Sequence, residues 1–190
     1  MNMADAVIMC LPDEAARLGV SLVTSQNTVI IDASSAHRTA SGWTYGFPEM
    51  DKAQRSCLRA SRRIANPGCY PTSAILGLAP LIDSGTIDVE DIIIDSKSGV
   101  SGAGRNPKLT THYPECNESL SAYNIGRHRH TPEIELVLSK KSDKPVGVIF
   151  TPHLVPMDRG ILTTTYSRPL RSVKEADLFE LFRTFYAPHP

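Results

Sequence analysis

The chain has 190 residues, enough for one large domain or two small ones with ample core. Its 20 basic and 20 acidic residues cancel, so no charge excess recruits nucleic acid or an anionic membrane surface. Every apolar stretch is strand-sized, which argues against a membrane-spanning helix, and residues 1–10 lack the pattern of a secretory signal. Four cysteines, Cys10, Cys57, Cys69 and Cys116, fit neither a disulfide framework nor a zinc ribbon, so a reducing, cytoplasmic setting is expected.

In chain order, residues 4–10 read as an apolar strand buried on both faces, as parallel strands are. Leu11-Pro12 ends it, and residues 13–18 read as a helix with acidic residues in its first turn. Residues 28–33 form a second buried strand, followed by the polar turn Asp32-Ala33-Ser34-Ser35-Ala36-His37-Arg38. Strand–helix–strand with polar loops predicts half of an open α/β sheet, whose ligands sit at the carboxyl ends of the strands. Those ends are Leu11-Pro12 and Ser34-Ser35. No G-x-G-x-x-G turn precedes Cys69, so the expectation is a remnant of a doubly wound dinucleotide-binding sheet, its later half. A short helix over residues 51–60 and a strand over 62–66 complete this part.

Asn66-Pro67-Gly68-Cys69-Tyr70-Pro71-Thr72 then joins that strand to an apolar helix over residues 73–82, which sets Cys69 at a strand-to-helix corner. A thiol at a helix N-terminus faces about half a positive charge, a setting that favours thiolate. Residues 91–96 read as a strand running into the glycine-rich loop Ser98-Gly99-Val100-Ser101-Gly102-Ala103-Gly104-Arg105, whose backbone can approach a ligand closely. Residues 119–125 suggest a strand. After it, His128-Arg129-His130 leads to Thr131 as N-cap and Pro132 as first residue of a helix ending near residue 139. Strands follow over residues 146–150 and 161–166, in a sheet expected to be mixed, antiparallel in part. Ser172 and Glu175 predict a capping box, and Val173, Ala176, Phe179, Phe182 and Phe185 an apolar stripe belonging to the core.

A reactive cysteine needs a proton acceptor or donor nearby, which His128 or His130 supplies. Two chemistries use such a pair. Thiolate attack on a carbonyl ends either in hydrolysis or, with a nicotinamide alongside, in hydride transfer; the half-sheet favours the second. A metal site of His112, Cys116, His128 and His130 is the weaker alternative, because arginines flank His128.

Four motifs carry a resemblance: Gly68-Cys69-Tyr70-Pro71-Thr72, the loop from Ser98 to Arg105, His128-Arg129-His130-Thr131-Pro132-Glu133-Ile134, and His153-Leu154-Val155-Pro156-Met157-Asp158-Arg159-Gly160. In that order they resemble the N-acetyl-gamma-glutamyl-phosphate reductase family, in its shorter type, over essentially the whole chain. The resemblance implies a chain truncated at both ends, with residues 1–66 as the later half of the dinucleotide-binding domain. Residues 67–190 would form an α+β catalytic and oligomerisation domain of semialdehyde dehydrogenase type, with a mixed sheet. It implies NADPH-dependent reduction of a small acyl phosphate through a Cys69 thioester, within arginine biosynthesis. His130, or else His128, would move the proton, and Asn66 would help hold the oxyanion. Leu11, Pro12, Ser34, Ser101, Gly102, Ala103 and Gly104 would face NADP. Arg105, Arg159, Tyr123 and His153 would contact substrate. A homo-oligomer (dimer or tetramer) is expected, with no metal, nucleic acid or membrane partner. Hydrolysis by the Cys/His pair, or an inactive oligomerising fragment, are the competing readings.

Overall fold

A computed structural model describes residues 1–189, which divide into two compact units, Met1–Gly68 and Cys69–Pro188. The first holds β1 (Ala6–Met9), α1 (Asp13–Ser21), β2 (Val29–Asp32), β3 (Thr44–Tyr45), α2 (Gln54–Ala60) and β4 (Arg63–Ala65). Its four strands are all parallel, in the order β1-β2-β4-β3. Met9, Val23 and Ile30 form its buried cluster, with Val7, Val20 and Trp43 packed against it. β1 is not buried on both faces as expected: Ile8 is 69 % exposed. β1 is the edge strand of the sheet, and Val7 and Met9, two residues apart, turn to the cluster while Ile8 points the other way. β3 went unanticipated because two residues show no periodicity.

The polar turn after β2 is held by its own carboxylates. Asp32, fully buried, accepts hydrogen bonds from the Ser34 amide (2.9 Å), the Ser34 hydroxyl (2.7 Å) and the His37 ring at Nδ1 (2.6 Å). His37 in turn stacks on Trp43, ring centroids 4.1 Å apart. Across the sheet edge, Asp13 at the start of α1 accepts the Ser35 amide (3.0 Å) and hydroxyl (2.7 Å). The carboxyl ends of β1 and β2 are thereby fastened together.

The second unit contains α3 (Cys69–Asp83), β5 (Ile92–Ser98), the single-turn α4 (Tyr113–Cys116), β6 (Ser121–Ala122), α5 (Thr131–Ser139), β7 (Val148–Leu154), β8 (Ile161–Tyr166) and α6 (Glu175–Tyr186). Its sheet runs β6-β7-β5-β8, with β5 and β7 parallel and the outer pairs antiparallel. The mixed sheet is therefore as the strand pattern implied. Ile92, Ile94, Ser96 and Phe150 point inward, where Ala74, Ile75, Leu78 and Ala79 of α3 and Ile134, Val137 and Leu138 of α5 are buried with them. Each of the large aliphatic side chains stabilises by roughly 1.5–3 kcal/mol relative to exposure. One polar link crosses this packing: the Thr163 hydroxyl lies 2.8 Å from both Ser73 on α3 and Ser96 on β5.

α3 contains Pro80, which has no N–H for the Leu76 carbonyl one turn earlier. That carbonyl instead accepts the hydroxyl of Tyr186, at the end of α6, at 2.7 Å. The rest of α6 departs from expectation. Lys174, in extended conformation, is its N-cap, and no side-chain cap forms. Glu175 is thus the first helical residue and not the third, two positions short of closing a box with Ser172. The stripe is not core: α6 has no buried residue and Phe179 is 65 % exposed, because the helix is anchored mainly through its Tyr186 end. Two smaller differences have local causes. α5 begins at Thr131 with His130 as N-cap, since His130 already has helical backbone angles. β6 stops after two residues because the chain reverses at Asn124 and Gly126, both at positive φ.

Burial opposes ionisation of Asp32, but the hydrogen bonds from His37 and Ser34 outweigh it and hold the carboxyl below its ordinary value of 3.8. A depressed carboxyl stabilises the fold above the unfolded value, and loses that contribution as pH falls through the native one. Asp32→Asn is therefore expected to lower the unfolding free energy of the chain at pH 7 by about 1–3 kcal/mol. In urea melts the gap from the wild type should close as pH drops below 3.8; a gap that persists unchanged at low pH would refute the assignment.

Candidate active site at the start of α3

α3 begins at Cys69, so the thiol sits on the first helical residue, exposed and free of any disulfide. Tyr70 and Pro71, directly behind it, are buried. Tyr70 is the hub of an aromatic cluster. Its ring lies 5.5 Å from His128, 5.9 Å from His130 and 5.3 Å from Phe150, all edge-on. The two imidazoles are 4.8 Å apart, and Tyr123 stands 5.6 Å from His128. The Tyr70 and Tyr123 hydroxyls are hydrogen-bonded at 2.9 Å. The second unit thus brings Cys69, Tyr123, His128 and His130 around Tyr70, a residue that sequence reasoning passed over; its place next to the nucleophile was the available signal.

The two histidines differ. His128 Nδ1 accepts the backbone N–H of His130 at 3.1 Å, which leaves its proton on Nε2. Burial, helped by the positive charge of Arg129, lowers the His128 pKa from 6.5 to about 4. His128 is therefore a neutral imidazole near pH 7. His130 caps α5 and is buried. Burial also raises the pKa of Tyr70 and of Tyr123, the latter further through the Tyr70 hydrogen bond and the charges of Tyr70 and Cys69, so both phenols keep their protons.

The glycine-rich loop and the loop before β8 are built as one piece. The amides of Gly99, Val100 and Ser101 donate to the carbonyls of Gly160, Met157 and Asp158, and the Ser101 hydroxyl donates to Asp158 at 2.6 Å. A Cβ at Gly99 would stand 2.7 Å from the Asp158 carbonyl oxygen and 2.8 Å from the Arg159 nitrogen, so only glycine fits. Ser101, Gly102, Ala103, Gly104, Arg105 and Arg159 are all exposed on this joined rim, where Arg159 Nε meets the Asp158 carboxylate at 3.3 Å in a solvent-exposed contact. His153 is placed differently. β7 turns its side chain to the outward sheet face, where Nδ1 lies 3.1 Å from Asp95; Tyr70 and Phe150 belong to the inward one. Only its carbonyl approaches the cluster, 3.4 Å from the Tyr70 hydroxyl.

In the first unit, Leu11 and Pro12 are exposed just beyond β1. Ser34 is buried, and its hydroxyl is engaged within the turn, donating to Asp32 and accepting from the Ala36 amide. Asn66 follows β4; its amide N–H donates to Asp32 and its side chain to the Pro67 carbonyl. Arg38, another residue not singled out from sequence, lies across the ends of β2 and β4. Its Nε donates to the Asn66 carbonyl (2.9 Å) and Nη2 to that of Ala33 (3.0 Å). The open carboxyl edge of a parallel sheet, here bordered by exposed Leu11 and Pro12, is where such sheets hold a ligand. Among the described residues no group of three or more His, Cys, Asp or Glu side chains could hold a metal, and no helix is long and apolar enough to cross a membrane.

Comparisons with known proteins agree with this division. The family profile described as "Semialdehyde dehydrogenase, NAD binding domain" matches residues 1–56, and "Semialdehyde dehydrogenase, dimerisation domain" matches residues 69–190. N-acetyl-gamma-glutamyl-phosphate reductase of Pelobacter propionicus is 45 % identical over 98 % of this chain and 59 % of its own length. The enzyme of the same name from Desulforudis audaxviator is 53 % identical over 77 % of this chain and 41 % of its own. The chain thus spans about 60 % or less of the length of these relatives. Among solved structures, aspartate semialdehyde dehydrogenase II from Vibrio cholerae superposes with a TM-score of 0.75 at 16 % identity, over 95 % of this chain and 60 % of that one. With a matching profile over most of its length and the same architecture, the chain belongs to the semialdehyde dehydrogenase family.

Proposed function

We propose that this chain carries the catalytic machinery of an N-acetyl-gamma-glutamyl-phosphate reductase, which converts N-acetyl-glutamyl 5-phosphate to the 5-semialdehyde in arginine biosynthesis. The observation that carries the reading is the Cys69 cluster: an exposed thiol on the first residue of a buried helix, with two buried imidazoles and a phenol gathered around the next side chain. The Cys69 thiolate attacks the acyl carbon, the C–O bond to phosphate breaks, and a thioester remains. The departing phosphate takes up one proton. His128, neutral near pH 7, suits hydrogen-bond donation through Nε2, which favours His130 as the proton carrier. Backbone N–H groups at the start of α3 and the Asn66 amide are the candidates to hold the carbonyl oxygen as it becomes an oxyanion. Bound NADPH supplies the hydride that reduces the thioester carbonyl. The resulting thiohemiacetal oxyanion collapses, the C–S bond breaks, and Cys69 leaves as thiolate with the aldehyde free.

Leu11 and Pro12, and separately the exposed Ser101-Gly102-Ala103-Gly104 rim, are the proposed cofactor contacts. Ser34 contributes through its backbone turn, because its hydroxyl is already engaged. Arg105 and Arg159 offer planar cations to the phosphate and carboxylate of the substrate, and Tyr123 a phenolic donor. His153, on the outward face, shapes the site only through the backbone of β7.

That outward face also favours a homo-oligomer. Ile149, Ile93 and Tyr166 form one row across β7, β5 and β8, and Leu162 lies two rows on, paired with Lys97. All four apolar side chains are 41–63 % exposed. The matched profile over these residues is that of a dimerisation domain, and a second copy of the same face is the proposed partner. Leu162→Glu is expected to convert dimer or tetramer to monomer in analytical ultracentrifugation; an unchanged sedimentation coefficient would sink this placement.

Two further outcomes test the chemistry. Incubated with N-acetyl-glutamyl 5-phosphate, the chain should release phosphate and gain an acyl adduct on Cys69 by mass spectrometry, and Cys69→Ser should abolish the adduct. Full acylation in Cys69→Ser would overturn the mechanism, and phosphate release that continues for many turnovers without NADPH would favour hydrolysis. His128 gives a pH prediction. Its native pKa lies below its unfolded one, so the unfolded chain binds more protons between pH 6.5 and about 4. Stability should therefore fall as pH drops across that window, by up to about 3 kcal/mol. His128→Gln should flatten this part of the profile; an equally steep profile in the variant would count against a neutral buried His128.

A further inference from the structure

Tyr70 is buried, 3 % exposed, and too deep to meet a substrate, yet it contacts three of the groups proposed to act on one, Tyr123, His128 and His130. A buried hydroxyl needs partners, and this one has the Tyr123 hydroxyl at 2.9 Å, the His153 carbonyl at 3.4 Å and the Ser98 side chain. Both phenols stay protonated, so two O–H groups share one short contact and only one of them can donate into it. If Tyr70 donates to the His153 carbonyl, Tyr123 donates to Tyr70 and presents lone pairs outward. If Tyr70 donates to Tyr123, the Tyr123 proton is turned outward instead. The substrate of the proposed reaction offers only acceptors at its reacting end, a carbonyl and a phosphate, and selects the second arrangement. The 3.4 Å contact, at the limit of hydrogen-bond reach, gives it up at little cost.

We infer that Tyr70 is a positioning residue for acylation of Cys69: its hydroxyl turns the Tyr123 proton toward the incoming acyl phosphate, while its ring fixes the His128 and His130 imidazoles. The inference rests on the proposed reaction and deepens it. Tyr70→Phe removes the hydroxyl and keeps the ring; Tyr123→Phe removes the donor that Tyr70 orients.

With acetyl phosphate as probe, Tyr70→Phe should slow adduct formation on Cys69 about three- to tenfold, the worth of one hydrogen bond. Alkylation of Cys69 by iodoacetamide, which needs no donor to a phosphate, should proceed at the wild-type rate. In the double variant Tyr70→Phe/Tyr123→Phe, acylation should be no slower than in Tyr123→Phe alone, because the hydroxyl acts through Tyr123. Wild-type acylation in Tyr70→Phe, effects that multiply in the double variant, or a parallel loss of alkylation would each overturn the inference. If the wild-type chain forms no adduct, the proposed reaction itself fails. The positioning claim is then decided by the imidazole NMR resonances of His128 and His130, which should shift in Tyr70→Leu and hold in Tyr70→Phe; no shift in Tyr70→Leu would overturn it.

Discussion

The second unit depends on the burial of α3. Ala74, Ile75, Leu78 and Ala79 sink into the space between the sheet and α5, and the hydroxyl link through Thr163 fixes how far along the sheet the helix lies. A helix held this way over several turns has no freedom left at its first residue. Cys69 therefore reaches solvent at a determined place. Tyr70 and Pro71, buried immediately behind it, complete the anchoring. Precision at the nucleophile is a product of apolar packing elsewhere.

The same packing sets the electrostatics. Placing two imidazoles beside Tyr70 and Phe150 removes them from water, which disfavours charge on His128 and gives the pair distinct characters. A symmetric pair in water would compete for one proton near neutral pH. Here the backbone N–H of His130 occupies Nδ1 of His128, and the tautomer is decided by the fold. Division of labour between neighbouring histidines thus follows from a two-residue spacing and a tight turn.

Much of this was legible in the sequence, and the failures have specific causes. Runs such as Val29-Ile30-Ile31 and Ile92-Ile93-Ile94 announce strands, and glycine beside cysteine announces the corner, because such signals are local. Ile8 and Phe179 were misjudged because hydrophobicity states what a residue prefers, whereas burial depends on whether another element arrives to cover it. His153 was grouped with the site by motif, but strand alternation turns its side chain to the other face. Arg38 and Tyr70 escaped notice because their roles lie in contacts to residues far along the chain, Asn66 for one and Tyr123 for the other. The proline in α3 had its compensation more than a hundred residues away, in the hydroxyl of Tyr186, which no local pattern announces.

Gly99 has a consequence for how such a site can change. Because the backbone of Asp158 and Arg159 presses against its bare Cα, the loop carrying Arg105 and the loop carrying Arg159 form one rim. Neither can lengthen, tilt or exchange its arginine's position without dragging the other along. Variation toward a bulkier or differently charged substrate is therefore channelled into side chains at fixed backbone positions, or else requires coordinated change in two segments some sixty residues apart. A lineage that drifts in one loop alone meets a steric wall before it meets a new substrate.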